Sequence, residues 1–141
     1  MQHTLNNFHC LVGETIMFCQ LIEHDLKLIF AFMLKGNFEK NLEEIERDTF
    51  GVMVQKLEKL DYSDNKPFIS KSDYKFLKQM SKKRNHWCHN TYAEFGYVEN
   101  FLDSQEFRSE FERLENENQQ FRSVQKTLQQ IRMEVYQKYR K

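Results

Sequence analysis

Lys82-Lys83-Arg84-Asn85-His86-Trp87-Cys88-His89-Asn90-Thr91-Tyr92 holds the only Trp of the chain, two of its five His and one of its three Cys. An arginine presents a planar fork of donors that suits a phosphate. A histidine titrates near neutrality and can move a proton in either direction. Side chains of these two kinds, a few residues apart, are equipped to hold a phosphate and transfer protons beside it.

On a helix the stretch acquires sides. At about 100° per residue, Met80, Arg84, Trp87, Cys88 and Thr91 share the core-facing direction of Leu77, and Asn85, His89 and Tyr92 lie on the shoulder. Lys71, Lys75, Lys78 and Lys82 form a line that arrives at His89, with Asn85 and Arg84 beside it and His86 on the far, polar side. A lysine track of this kind suits a polyanion. Its bland counterpart is a solvated face, with Arg84 paired to a buried acid such as Glu23 or Asp25.

Other chemistries fit less well. His86, Cys88 and His89, with His9 and Cys10, include zinc ligand types, but His86 and His89 diverge by about 60° on a helix. There is no Cys-x2-Cys or His-x3-His pair. No metal site and no cofactor is expected. Cys88 beside a His could serve as a nucleophile, yet a small core residue is the commoner role for such a cysteine.

A chain of 141 residues suits one domain, here residues 1–141. Net charge is +0, so the molecule as a whole does not attract a polyanion, but its charges are segregated. From Lys66 to Arg84 there are seven basic residues and one acid, whereas Val98 to Glu117 holds seven acids and two arginines. A local basic patch binds phosphate even on a neutral protein. Three irregularly spaced cysteines argue for a reducing compartment. No signal peptide and no membrane span are read, so a cytoplasmic location is expected.

The positioning elements follow from apolar periodicity. Thr4 to Lys35 reads as a long helix apolar on more than one face, which implies central packing or a contact between copies. Phe38–Arg47 and Phe50–Leu60 are shorter helices, the second capped by Asp48 or Thr49. Asp61–Ile69 is a loop with the only proline. Ser70 caps the helix of the opening stretch, which is expected to reach Ala93, with a break at Gly96. Val98–Tyr139 is helical with a bend or break at the polar run Asn116–Gln120. No strand pattern appears. The expected fold is all-α, an up-down bundle of four to five helices.

Arg84-Asn85 followed after three residues by His89 resembles the Arg-x4–6-His motif of the HEPN superfamily, whose members are small all-α bundles. The likeness in architecture spans most of the chain, while the specific signal is confined to Arg84–Tyr92. The resemblance implies a metal-independent endoribonuclease of the toxin–antitoxin or phage-defence kind. Such proteins form homodimers in which two motifs face one cleft, and a cognate antitoxin protein is a further implied partner. On that pattern His89 acts on the ribose 2′-OH or the leaving oxygen, Arg84 holds the scissile phosphate, and Asn85 orients the phosphate or the ring. Lys71, Lys75, Lys78, Lys82, Lys83 and Tyr92 then bind the RNA. The spacing of Tyr92 departs from the Arg-x4-Ala-x-Tyr form, which leaves modification of that tyrosine outside the expectation. The alternative is a non-catalytic HEPN-like module that binds nucleic acid or protein through the same surface. A third reading is a helical scaffold, in which Arg84 is ion-paired and His89 isolated.

Overall fold

The computed structural model describes residues 1–139, which form five α-helices and one 3-10 turn and contain no strand. The fold is all-α, as the sequence implies. The helices are α1 (Leu5–Met33), α2 (Phe38–Ile45), α3 (Phe50–Asp61), α4 (Lys71–His89) and α5 (Gln105–Tyr139), with the turn at Phe101–Asp103. Each helix starts where a short polar side chain takes up a free backbone N–H, Ser104 accepting from Phe107 at the start of α5. Thr4 accepts from Asn7, Asn37 from Lys40, Thr49 from Val52 and Ser70 from Asp73.

Pairs of contacts give the topology. Along α1 and α5, Phe8 meets Phe111, Thr15 meets Asn118, Asp25 meets Arg132 and Phe32 meets Tyr136. Both numbers rise together, so these two long helices run parallel. Between α3 and α4, Glu58 meets Lys78 and Asp61 meets Tyr74, an antiparallel pair. Against α5, α4 runs the opposite way, since Lys83 reaches Gln120 and His86 reaches Glu110. The short α2 turns back along α1, its Asn41 amide donating to the carbonyls of Ala31 and Leu34. Direction therefore alternates through all five helices, the up-down arrangement expected.

The core's hub at the motif end is Phe8, which is fully buried. Its ring lies 5.3 to 6.3 Å from those of Trp87, Phe95, Phe107 and Phe111, in edge-on and tilted contacts. Such geometries suit the aromatic quadrupole. This cluster ends α4 sooner than periodicity suggests. The helix stops at His89 and not near Ala93, because Thr91 turns inward to donate to the Trp87 carbonyl and Phe95 folds back under Phe8. Gly96 then closes the turn, its N–H bonded to the Tyr92 carbonyl at 2.7 Å, where a Cβ would collide with that oxygen.

The last helix differs from expectation at both places of interest. It begins at Gln105, after the 3-10 turn, and it passes through Asn116–Gln120 without a break. The polar run is not a solvent-facing interruption. Glu117 and Asn118 are buried and partnered, Glu117 by Trp87 and Arg113, Asn118 by Glu14 and Thr15. A buried polar group that finds its hydrogen bonds need not break a helix.

Asp25, buried on α1, is 3.4 Å from the half-exposed Arg132. Burial pushes its carboxyl above the ordinary range, with Arg132 and His24 pulling the other way. A raised native pKa means that stability falls as pH rises from the ordinary value of 3.8 toward the native one. Asp25→Asn is therefore expected to melt at or above wild type at pH 7, with the difference closing below about pH 4. Thermal melts at the two pH values check it, and a variant that melts well below wild type at pH 7 contradicts it.

Candidate functional site

Arg84, Asn85, His89 and Tyr92 lie at one end of the bundle, on the last turns of α4 and the segment that follows, whereas Lys71, Lys75 and Lys78 lie on its earlier turns. They are not equally exposed. α3 begins only at Phe50, where Gly51 lies against the Ser81 hydroxyl. One and two turns further along α4, Asn85 and Cys88 are exposed, Arg84 is half-buried and His89 is exposed. Cys88 is thus not the core residue that its helical angle suggests.

Arg84 makes no salt bridge and no side-chain hydrogen bond among the described residues. The acids considered as its partners are placed elsewhere. Asp25 faces Arg132, and Glu23 forms no ion pair among the described residues. The charge of Arg84 is instead felt by the Cys19 thiol of α1. Burial pushes that thiol up to about 12, with Cys88, Glu117 and Glu23 adding to the rise and Arg84 opposing it. A guanidinium with no internal counter-ion retains its donors for an external anion.

His86 takes the role that the helical wheel denies it. It points into the α4–α5 interface, where Nε2 donates to Glu110 Oε2 at 2.9 Å. Arg113 Nη1 lies 3.5 Å from the other oxygen of Glu110, and Arg113 Nε donates to Glu117 at 2.8 Å. The second oxygen of Glu117 accepts from the Trp87 indole N–H at 3.1 Å. Burial works against the Arg113 charge, but its hydrogen bond to Glu117 and the charges of Glu117 and Glu110 outweigh it, so its pKa moves up. This cluster fixes the rotation of α4 and so aims Arg84 and His89 outward. Sequence reasoning missed Glu110, Arg113 and Glu117. The signal was there: both acids fall at i+3 from one core residue and i−4 from another (Phe107 and Leu114, Leu114 and Phe121), on the core side of α5.

The lysine line is partly spent inside the molecule. Lys78 and Lys71 both reach Glu58, at 2.7 and 3.6 Å, and the hydrogen bond from Lys78 holds that carboxyl below its usual range. Lys83 donates to Gln120 and lies over the Phe76 ring. Lys75 and Lys82 are exposed and form no ion pair among the described residues. Past the motif, Glu94, Glu99, Asp103 and Glu106 are exposed and no basic residue intervenes. The exposed charge therefore changes from basic along α4 to acidic past its end.

Tyr92 is exposed, and its hydroxyl shares a 2.7 Å hydrogen bond with Nδ1 of His9 on α1. His9, which the sequence offers only as a zinc ligand type, is brought beside Tyr92 by the fold. Among the described residues, no three of His, Cys, Asp and Glu gather as a metal site. No helix among them is long and apolar enough to cross a membrane. Two clefts open elsewhere. One of about 1110 Å³ lies at the opposite end, between α1, α3 and α5, with Phe32, Phe38, Leu60 and Tyr136 among its walls. The other, of about 550 Å³, runs between α1 and α5 beside Glu14 and Arg122. Neither is lined by Arg84, Asn85, His89 or Tyr92. No family model, no curated protein and no solved structure matches the chain.

Proposed function

We propose that the chain is a metal-independent endoribonuclease of the HEPN type, acting as a homodimer with Arg84, Asn85 and His89 at its site. The observation that carries this reading is an Arg84 left without an ion pair among the described residues, about one turn from an exposed His89, at the end of a lysine line. His89 takes the proton of a ribose 2′-OH or returns one to the leaving 5′ oxygen. Arg84 holds the scissile phosphate as charge builds on it. Attack of the 2′ oxygen on phosphorus forms the P–O2′ bond and breaks the P–O5′ bond, giving a 2′,3′-cyclic phosphate and a 5′-OH. Lys75 and Lys82 steer the strand, and an antitoxin-like protein that covers this end is the natural inhibitor.

One observation favours the alternative of a non-catalytic binding module. His89 makes no hydrogen bond among the described residues that would fix its ring, and the motif lies outside the two clefts. The partner subunit is what supplies walls to the site on the enzymatic reading. Incubating purified protein with total RNA in EDTA decides between them. Fragments ending in 2′,3′-cyclic phosphate support the ribonuclease. Intact RNA, with salt-dependent retention on a filter, supports the module.

A further inference from the structure

Cleavage by attack of the 2′ oxygen needs two proton transfers. One group takes the proton of the 2′-OH, and another gives a proton to the departing O5′. The attacking and leaving oxygens stand roughly in line across the phosphorus, so one imidazole does not reach both. With His89 at the first, the second has no group assigned to it.

His9 and Tyr92 stand at the same end of the bundle. His3 and His86 each face a glutamate, Glu115 and Glu110, whereas Nδ1 of His9 faces the Tyr92 hydroxyl at 2.7 Å. A carboxylate holds a histidine in place, while a phenol beside a ring nitrogen can exchange a proton with it. More than that bond holds the tyrosine. α4 ends at His89, and the chain turns across toward α1, the Ala93 N–H donating to the Asn90 carbonyl. The Tyr92 ring then lies 5.6 Å from that of His9, 6.0 Å from that of Phe8 and 5.9 Å from that of Phe95. Even so, Tyr92 is 46% exposed, and His9 is exposed beside it. A hydrogen bond between exposed neutral groups adds little to stability, and ordering two side chains at the surface costs entropy. A hydroxyl that is fixed and yet open, just past His89, suits a reacting group, which must be held in place and still be reached.

We propose that Tyr92 is the second proton-transfer residue of this site, giving its hydroxyl proton to the departing O5′, and that His9 restores that proton. The proposal rests on the ribonuclease reading and deepens it. As the P–O5′ bond breaks, its electron pair goes to O5′, which takes the Tyr92 proton. Nδ1 of a protonated His9 passes a proton to the phenolate oxygen. The proton of the 2′-OH is by then on His89. The His9–Tyr92 pair is one proton short and His89 one ahead, and exchange with water resets both. Tyr92 touches the reacting oxygen. His9 acts through it, as a positioning residue that also supplies the proton.

A leaving group that needs no proton tests this. Two short RNAs of a sequence that the wild type cuts, one with oxygen and one with sulfur at the bridging 5′ position, are incubated with each protein in EDTA. A thiolate departs without a proton because thiols are far stronger acids than alcohols. On the oxygen RNA, Tyr92→Phe should be slower than wild type by about 10²-fold or more, and His9→Ala by at least about tenfold. On the sulfur RNA both should come within about threefold of wild type, whereas His89→Ala stays slow on both. His9→Gln keeps an acceptor for the hydroxyl but has no proton to pass, so it should match His9→Ala. Equal losses on the two RNAs overturn the proposal and leave Tyr92 and His9 as contacts that hold the strand or the turn. A full rate in Tyr92→Phe overturns it as well, and recovery in His9→Gln overturns the proton supply from His9. A wild type that cuts no RNA overturns the ribonuclease reading and this assignment with it.

Discussion

His89→Ala is expected to lower the rate of RNA cleavage by about 10²–10⁴-fold, the range that a positioned proton-transfer group supplies, while the protein melts within about 1–2 °C of wild type. The second half of that expectation follows from the structure. His89 is exposed at the last residue of α4 and makes no side-chain hydrogen bond among the described residues, so its removal costs the fold nothing. Arg84→Ala should be at least as damaging to cleavage. Arg84→Lys tests whether the planar fork matters beyond its charge, and recovers only a small part of the rate if two oxygens are gripped at once. His86→Ala is the internal control. It removes one of the two partners of Glu110 at the α4–α5 interface, so it lowers the melting temperature, while the folded fraction, its α4 still held by the Trp87–Glu117–Arg113 contacts, cleaves RNA near the wild-type rate. If His86→Ala abolishes cleavage and His89→Ala does not, the roles assigned to the two histidines are wrong. If none of the proteins cleaves, the binding-module reading takes over, and Arg84→Ala should then weaken RNA retention on a filter.

Those opposite fates of His86 and His89 illustrate what a sequence can reveal and what it cannot. Capping chemistry was legible: Thr49 and Ser70 begin helices as their side chains suggest, because a cap depends on neighbours within three residues. The apolar series Phe107, Leu114, Phe121, Leu128 and Val135 was legible too, and all five are buried. Misreadings arose where a partner from a distant segment decided the outcome. His86 looks polar-facing on α4 alone, but α5 brings Glu110 to it. Asn116–Gln120 looks like a break, but Trp87 and Thr15 satisfy its buried members. Cys88 lies on the apolar side by angle, yet α3 begins too late to cover it. Arg84, Asn85, His89 and Tyr92 do gather at one end, since three of them share a helix and the fourth follows within a turn. Whether they work as a site is a matter of chemistry that the fold permits and does not dictate.

Asp61→Ala should be the most damaging single change to the fold. Asp61 ends α3 and is 1% exposed. Its carboxylate accepts from the backbone N–H of Phe68 at 2.8 Å and of Ile69 at 3.0 Å, and from the Tyr74 hydroxyl at 2.7 Å. One side chain thereby ties the loop after α3 to the first turn of α4. Alanine would leave three donors without an acceptor in a dry place. A buried charge network broken at one member costs about 3–5 kcal/mol, against a total of roughly 5–15 kcal/mol for a domain, and the melting temperature should fall by about 10 °C or more. Tyr74→Phe removes one of the three bonds and should cost less, about 1–2 kcal/mol. The same pair sets an alkaline limit. Burial, then the hydrogen bond and charge of Asp61, push the Tyr74 phenol far above its ordinary 10. Its contribution is intact below pH 10 and is lost as pH rises toward the native value, because only the unfolded chain releases the proton there. Stability should therefore decline above about pH 10, less steeply in Tyr74→Phe. Denaturant titrations of the three proteins at neutral and alkaline pH separate these effects. Should Asp61→Ala unfold at nearly the wild-type midpoint, the loop is held by Phe68 and Ile69 packing instead, and α4 owes its placement to the His86–Glu110–Arg113–Glu117–Trp87 cluster alone.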